Sequence, residues 1–135
     1  MKVRDIMTAA LFTLMETDDL DLTRQLMESE RIRHIPIVND VNELVGLLTQ
    51  RDLLKISISS LAEIQSREQQ ELHRRIPLKE VMKSAITTVE PDEDLRTAGK
   101  MMLENKYGCL PVVENKKLLG IITEADFIKL AIDRI

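Results

Sequence analysis

A chain of 135 residues can bury a core without disulfide or metal support, and 44% hydrophobic with 31% charged residues fits a folded protein rather than a disordered or membrane-spanning one. A net charge of −4 with 2% aromatic residues argues against bulk nucleic-acid binding, which needs basic surface and stacking rings. No stretch approaches the roughly 20 apolar residues of a membrane span. MKVRDIM contains no apolar leader and Cys109 has no second cysteine to pair with, so a reducing, cytoplasmic setting is expected.

In chain order, VRDIMTAALFTL leads into a short β-prone run, Leu11 to Leu14. Thr17 is the expected N-cap of a helix in which Leu20 and Met27 share one face, a spacing that ordinarily marks core. IPIV and LVGLLT are continuously apolar and too short for independent helices, so both are read as buried strands joined by the loop NDVNE. From Gln50 a helical spacing resumes with Leu53, Leu54 and Ile58. Residues 59–77 form an insert rich in Glu, Gln and Arg, without Gly or Pro before Pro77, which predicts a mostly helical linker. Leu61, Ile64 and Leu72 could dock it on a neighbour or leave it solvated.

The rest of the chain repeats the first part. Met7 to Val38 align with Met82 to Val113 at a constant offset of 75, and after a loop one residue shorter, ENKK, the match resumes at 74. LKEVMKSAITTV is the second approach; Ile86 to Val89 is its β-prone run and Asp92 the expected cap. Leu95 and Met102 again lie seven apart; LPVV and LLGIIT are the strands; Phe127, Leu130 and Ala131 mark the last helix. Each copy therefore reads strand, helix, strand, strand, helix, with copies at 1–58 and 78–135.

Two copies of such a unit, carrying IRHIPIV with GLLTQRD and YGCLPVV with GIITEAD, resemble the CBS domain family over nearly the whole chain apart from the insert. The resemblance implies an α/β fold, a tandem pair of βαββα units packed sheet to sheet about a pseudo-twofold axis, with two related clefts. It also implies a regulatory module that binds an adenine nucleotide, AMP or ATP in the first place, with ADP and S-adenosylmethionine in the same class, and that reports to an effector protein. In the family the Thr and Asp of the Gly-h-h-Thr-x-x-Asp motif hold the ribose, which carries over to Thr123 with Asp126 and to Thr49 with Asp52. Thr8, Leu11 and Pro36 are placed along the base, and Pro111 in the second cleft.

The residues support this on their own chemistry. A carboxylate accepts from both hydroxyls of a vicinal diol, each charge-assisted bond contributing about 1.5–3 kcal/mol, and a threonine one helical turn earlier can face the same ligand. The alternative is that each Thr–Asp pair only caps the following helix. The copies differ in charge: Arg31, Arg33, His34 and Arg51 align with Lys106, Gly108, Cys109 and Ala125. The resemblance joins ribose contacts from one copy with phosphate contacts from its mate, so Arg33, His34 and Arg51 are expected on the phosphates of a nucleotide held by Asp126, and the Asp52 position is expected to be weaker. The other reading is a solvated edge for Arg31 and Arg33 and a satisfied, partly buried imidazole for His34.

An enzyme is disfavoured. His34 and His73 stand in different contexts, Cys109 has no base beside it, and neither a phosphate loop nor metal-ligand spacing occurs. A dimerisation scaffold without ligand remains the rival. Either reading expects a homodimer, with Leu54, Ile58 and Leu130 on its face. Pro36 and Pro111, lacking an N–H, are expected to end or bend their strands and free nearby main-chain groups for a ligand.

Overall fold

The computed structural model describes residues 1–63, Glu71 and 75–135. A one-turn helix α1 (Val3–Ile6) precedes α2 (Leu20–Glu30), β1 (His34–Val38), β2 (Leu44–Thr49) and α3 (Gln50–Glu63). A short 3-10 turn, Leu78–Glu80, stands where α1 stands in the first copy; α4 (Leu95–Asn105), β3 (Cys109–Glu114), β4 (Lys117–Thr123) and α5 (Glu124–Arg134) follow. Helix, two strands and helix thus occur twice, at the offsets read from the sequence. The strands form two two-stranded sheets, β1 with β2 and β3 antiparallel to β4. Helix α3 carries the chain into the expected insert; the docking expected of Leu61, Ile64 and Leu72, and the side chains of Ile58 and His73, lie outside what is described.

The expected first strands shrink to single rungs. Leu14 makes one parallel bridge to Ile37, and Val89 one to Val112. The cause is the prolines. Leu14 N–H donates to the Pro36 carbonyl at 3.2 Å and Val38 N–H to Leu14; Val89 N–H donates to Pro111 at 3.0 Å and Val113 N–H to Val89. The next rung would need an N–H at position 36 or 111, where proline has none, and the ladder stops. Of the two alternatives expected, an end or a bend, neither proline ends its own strand: both lie inside it, wholly buried, with their carbonyls engaged, and β3 has an irregular register between Val112 and Val113, just after Pro111.

The helix caps fall two residues beyond those expected. Thr17 and Asp92 belong to the preceding turns, and Asp92 is taken by Arg4, whose Nε donates to it at 2.8 Å. The caps are Asp19 and Asp94, whose backbones are extended and whose carboxylates accept from Leu22 N–H at 2.9 Å and Thr97 N–H at 3.2 Å. Both helices close on a left-handed residue, Arg31 (φ 53°) and Lys106 (φ 57°). Arg31, one of the cations considered for a ligand, is thereby fixed as a helix terminus.

The chain forms two compact units that cross chain order: Phe12–Asp40 with Val45–Ile86, and Thr87–Ile135 with Met1–Leu11 and Val41–Leu44. In the second of these Val3 is fully buried with Val89, Leu95, Ala98, Met102, Leu110, Val112 and Ile122. In the first, Leu78 takes the matching place among Leu14, Leu20, Met27, Ile35, Ile37, Leu48 and Leu53. Each approach segment therefore anchors against the strands and helices of the other copy, because its fully buried Val3 or Leu78 fills that core, with Ile6 and Met7 or Ile76, Val81 and Met82 packed beside it.

The motif glycines make room for these segments. Thr8 exchanges backbone hydrogen bonds with Ile121, both at 2.9 Å, and Lys83 does the same with Leu47 at 2.9 and 3.0 Å. A Cβ on Gly120 would stand 2.8 Å from the Thr8 carbonyl oxygen, whereas one on Gly46 would strike the side chain of Met82. Main chain cannot step aside and a methionine can. Gly120→Ala is expected to cost about 1–3 kcal/mol in urea unfolding, and Gly46→Ala distinctly less; equal losses would show that backbone approach does not set the need for glycine.

Candidate functional site

The Thr-x-x-Asp turn of each copy lies where its second strand passes into its last helix. The first turn of a helix leaves backbone N–H groups without internal partners, so a carboxylate three residues in is held close to the chain. In one unit Asp126 Oδ2 accepts from Thr123 N–H at 2.8 Å and from the Thr123 hydroxyl at 3.3 Å. In the other Asp52 Oδ2 accepts from Thr49 N–H at 3.1 Å and from the Thr49 hydroxyl at 2.8 Å, while Asp52 N–H donates back to Thr49 Oγ1 at 3.2 Å. The capping alternative is therefore real at both positions. It uses one carboxylate oxygen only.

The other oxygen, Oδ1, faces the approach segment in both units. For Asp126 it accepts from the Thr8 hydroxyl at 3.2 Å. For Asp52 it meets the Lys83 ammonium at 3.4 Å. Thr8 and Lys83 are aligned residues, so the two positions share one geometry and differ in one charge. Asp126 is buried, and Lys83 is 63% exposed over a carboxylate that is 12% exposed. Such an arrangement can present an oriented acceptor, already held by its own helix, to a ligand bearing paired hydroxyl donors.

Lys83 was missed in the sequence, where only positions 31–34 and 51 were compared for charge. The offset of 75 that pairs it with Thr8 was the available signal. Lys83 adds a cation at the Asp52 position that the aligned positions 31–34 and 51 do not include.

The main chain of Arg33 lies against the Thr49 turn, its carbonyl accepting from Gln50 N–H at 2.8 Å; Gly108 does the same for Glu124 at 3.3 Å. Arg33 and Arg51 are exposed at that end of their unit, and His34, half-buried, opens β1. Leu11 is half-buried, and Pro36 and Pro111 are wholly buried within their sheets. Cys109 is buried. Among the described residues no group of three or more His, Cys, Asp or Glu side chains could hold a metal ion, and no helix is long and apolar enough to cross a membrane.

Asp126→Ala is expected to lower stability by about 1–2 kcal/mol in urea unfolding without any ligand, because it removes a cap. Lys83→Thr, which removes only an exposed ion pair, is expected to change it by less than about 1 kcal/mol. A loss below about 0.3 kcal/mol for Asp126→Ala would show that the cap is idle.

The CBS domain family model matches residues 3–59 and again 78–133. A candidate acetoin utilization protein (AcuB) from Vibrio cholerae is 40% identical with a TM-score of 0.86, over 99% of this chain and 92% of that one. CBSX2, a CBS-pair protein of Arabidopsis thaliana solved in complex with AMP, matches at a TM-score of 0.83 and 24% identity over 98% of this chain and 97% of its own. The CBS domain pair of MJ0100, solved with 5′-methylthioadenosine and S-adenosyl-L-methionine, matches at 0.81 and 23% over 100% and 98%. At these last two identities the likeness is one of fold. MJ1225 of Methanocaldococcus jannaschii, an uncharacterized protein, is 33% identical over 132 residues, 95% of this chain. The chain spans 42%, 32% and 24% of the length of the first three curated relatives it matches. With two family matches that between them take in both copies of the repeat, and a shared fold, the chain belongs to the CBS domain family.

Proposed function

We propose that this chain is a regulatory module that senses an adenine nucleotide, without catalytic activity of its own. The observation that carries the reading is the duplicated Thr-x-x-Asp turn, in which the helix consumes one carboxylate oxygen and leaves the other directed at the approach segment. Ribose carries two adjacent hydroxyl donors, which a carboxylate with one available oxygen and a mobile neighbouring donor can accept. The adenine-containing ligands of CBSX2 and MJ0100 support the class of ligand.

In this reading Asp126 and Thr123 are the main ribose groups, with Thr8 beside them and Leu11 toward the base. Arg33, Arg51 and His34 are proposed for the phosphates, since charge leaving water must be compensated and a guanidinium does so in bidentate fashion. Thr49 and Asp52 form the weaker position. The likeness to AcuB makes a component of acetoin utilization the first effector to try. Of the expected face of Leu54, Ile58 and Leu130, Leu54 is exposed (57%) and favours self-association, whereas Leu130 packs on its own core; Ile128 (59%) and Ile132 (64%) are exposed on the same helix as Leu130 and favour it as well. The same exposure favours the rival, a scaffold that dimerises without ligand.

Thermal unfolding with AMP, ADP, ATP and S-adenosylmethionine separates the two. A ligand at 100 times its dissociation constant should add about 2.7 kcal/mol to stability. Asp126→Ala should weaken that ligand roughly ten- to a hundredfold in calorimetry, and Asp52→Ala much less. No shift with any of the four would favour the scaffold, and equal losses at the two aspartates would remove the assignment of the stronger position.

A further inference from the structure

The two Oδ1 atoms face chemically different neighbours. Thr8 and Lys83 sit on equivalent backbone, each locked to the motif strand by a pair of main-chain hydrogen bonds, so their side chains start from equivalent points beside Asp126 and Asp52. Thr8 offers a neutral hydroxyl that can rotate away or turn round to accept. Lys83 offers an ammonium that can only donate, at 3.4 Å from Asp52 Oδ1.

We propose that Lys83 sets the Asp52 position apart as the weaker of the chain's two diol acceptors, its ammonium competing with a ligand's hydroxyls for Asp52 Oδ1. This rests on the reading of the two carboxylates as ribose acceptors. A hydroxyl approaching Asp52 meets an oxygen whose charge is already compensated, and it must displace the ammonium to bind. At Asp126 the same hydroxyl displaces or joins a threonine. The lysine side chain is 63% exposed, so the competing pair is of the weak surface kind and the penalty amounts to about two- to fivefold in affinity. It is a bias between positions rather than a lock. Its cause is independent of the phosphate cations, so it applies to ligands without charge.

The test uses calorimetry with adenosine, which carries the diol and no phosphate. The wild-type chain is expected to show one tighter and one weaker event. Lys83→Thr should tighten the weaker event about two- to fivefold, Lys83→Met should do the same because charge and not size is the cause, and Thr8→Lys should weaken the tighter event by a similar factor. Raising salt from about 0.05 to 0.5 M, where the Debye length falls from roughly 14 to 4 Å, should tighten the weaker event in the wild type and leave it unchanged in Lys83→Thr. Adenosine binding that does not respond to Lys83→Thr would overturn the inference while sparing the diol reading. A weakening would make Lys83 a ligand-holding group and overturn it too. Absence of binding by adenosine and AMP to the wild type and every variant would end the diol reading itself, and the inference with it.

Discussion

A helix that begins directly after a buried strand has to close its first turn on its own side chains, and in both copies one aspartate accepts the N–H of the threonine that precedes the helix. Asp126 and Asp52 each spend one oxygen on the turn of the preceding threonine, at 2.8 and 3.1 Å from its N–H. The carboxylate is thereby fixed in direction by the fold rather than by a ligand. In the proposed role, a ligand would meet an acceptor whose orientation has been settled in advance, which lowers the entropy that binding would otherwise have to offset.

The same turn depends on the approach segments. Val3 and Leu78 fill holes in the cores of the units they join, and this brings Thr8 and Lys83 over the motif strands. Gly120 is the residue over which the Thr8 main chain passes, and a side chain there would press on a carbonyl. Core packing, the glycine of the motif and the neighbour of the carboxylate are thus one linked arrangement. The two copies share this geometry and differ in the partner of the carboxylate, a neutral Thr8 in one and a charged Lys83 in the other.

Much of this was legible in the sequence. The repeat fixed the order of elements, the apolar runs gave the four strands, and Leu20, Met27, Leu95 and Met102 are buried as their spacing required. The caps were misplaced because Thr17 and Asp92 have the right chemistry, while the backbone turn that precedes each helix decides that Asp19 and Asp94 do the work. The missing N–H of the prolines suggests an end or a bend in their own strands, but what it ends is the neighbour's ladder, a consequence visible only once the partner strand is known. Lys83 escaped notice because nothing in its own segment marks it. Its meaning comes from Asp52, 31 positions earlier. A Thr-x-x-Asp motif in sequence cannot tell a cap from an acceptor; the geometry puts one oxygen on the cap and directs the other at the approach segment, where the acceptor role is proposed.

The central claim is that the oxygen left over from capping receives a ribose diol. The most direct measurement follows the amide resonances of Thr123 and Thr49, whose N–H groups donate to the two aspartates, as AMP and its 2′,3′-dideoxy counterpart are titrated into nitrogen-15-labelled protein. AMP is expected to move the Thr123 amide first and the Thr49 amide at higher concentration, and the dideoxy compound to move both far less. AMP binding that leaves both amides unmoved, or equal responses to the two compounds, would contradict it.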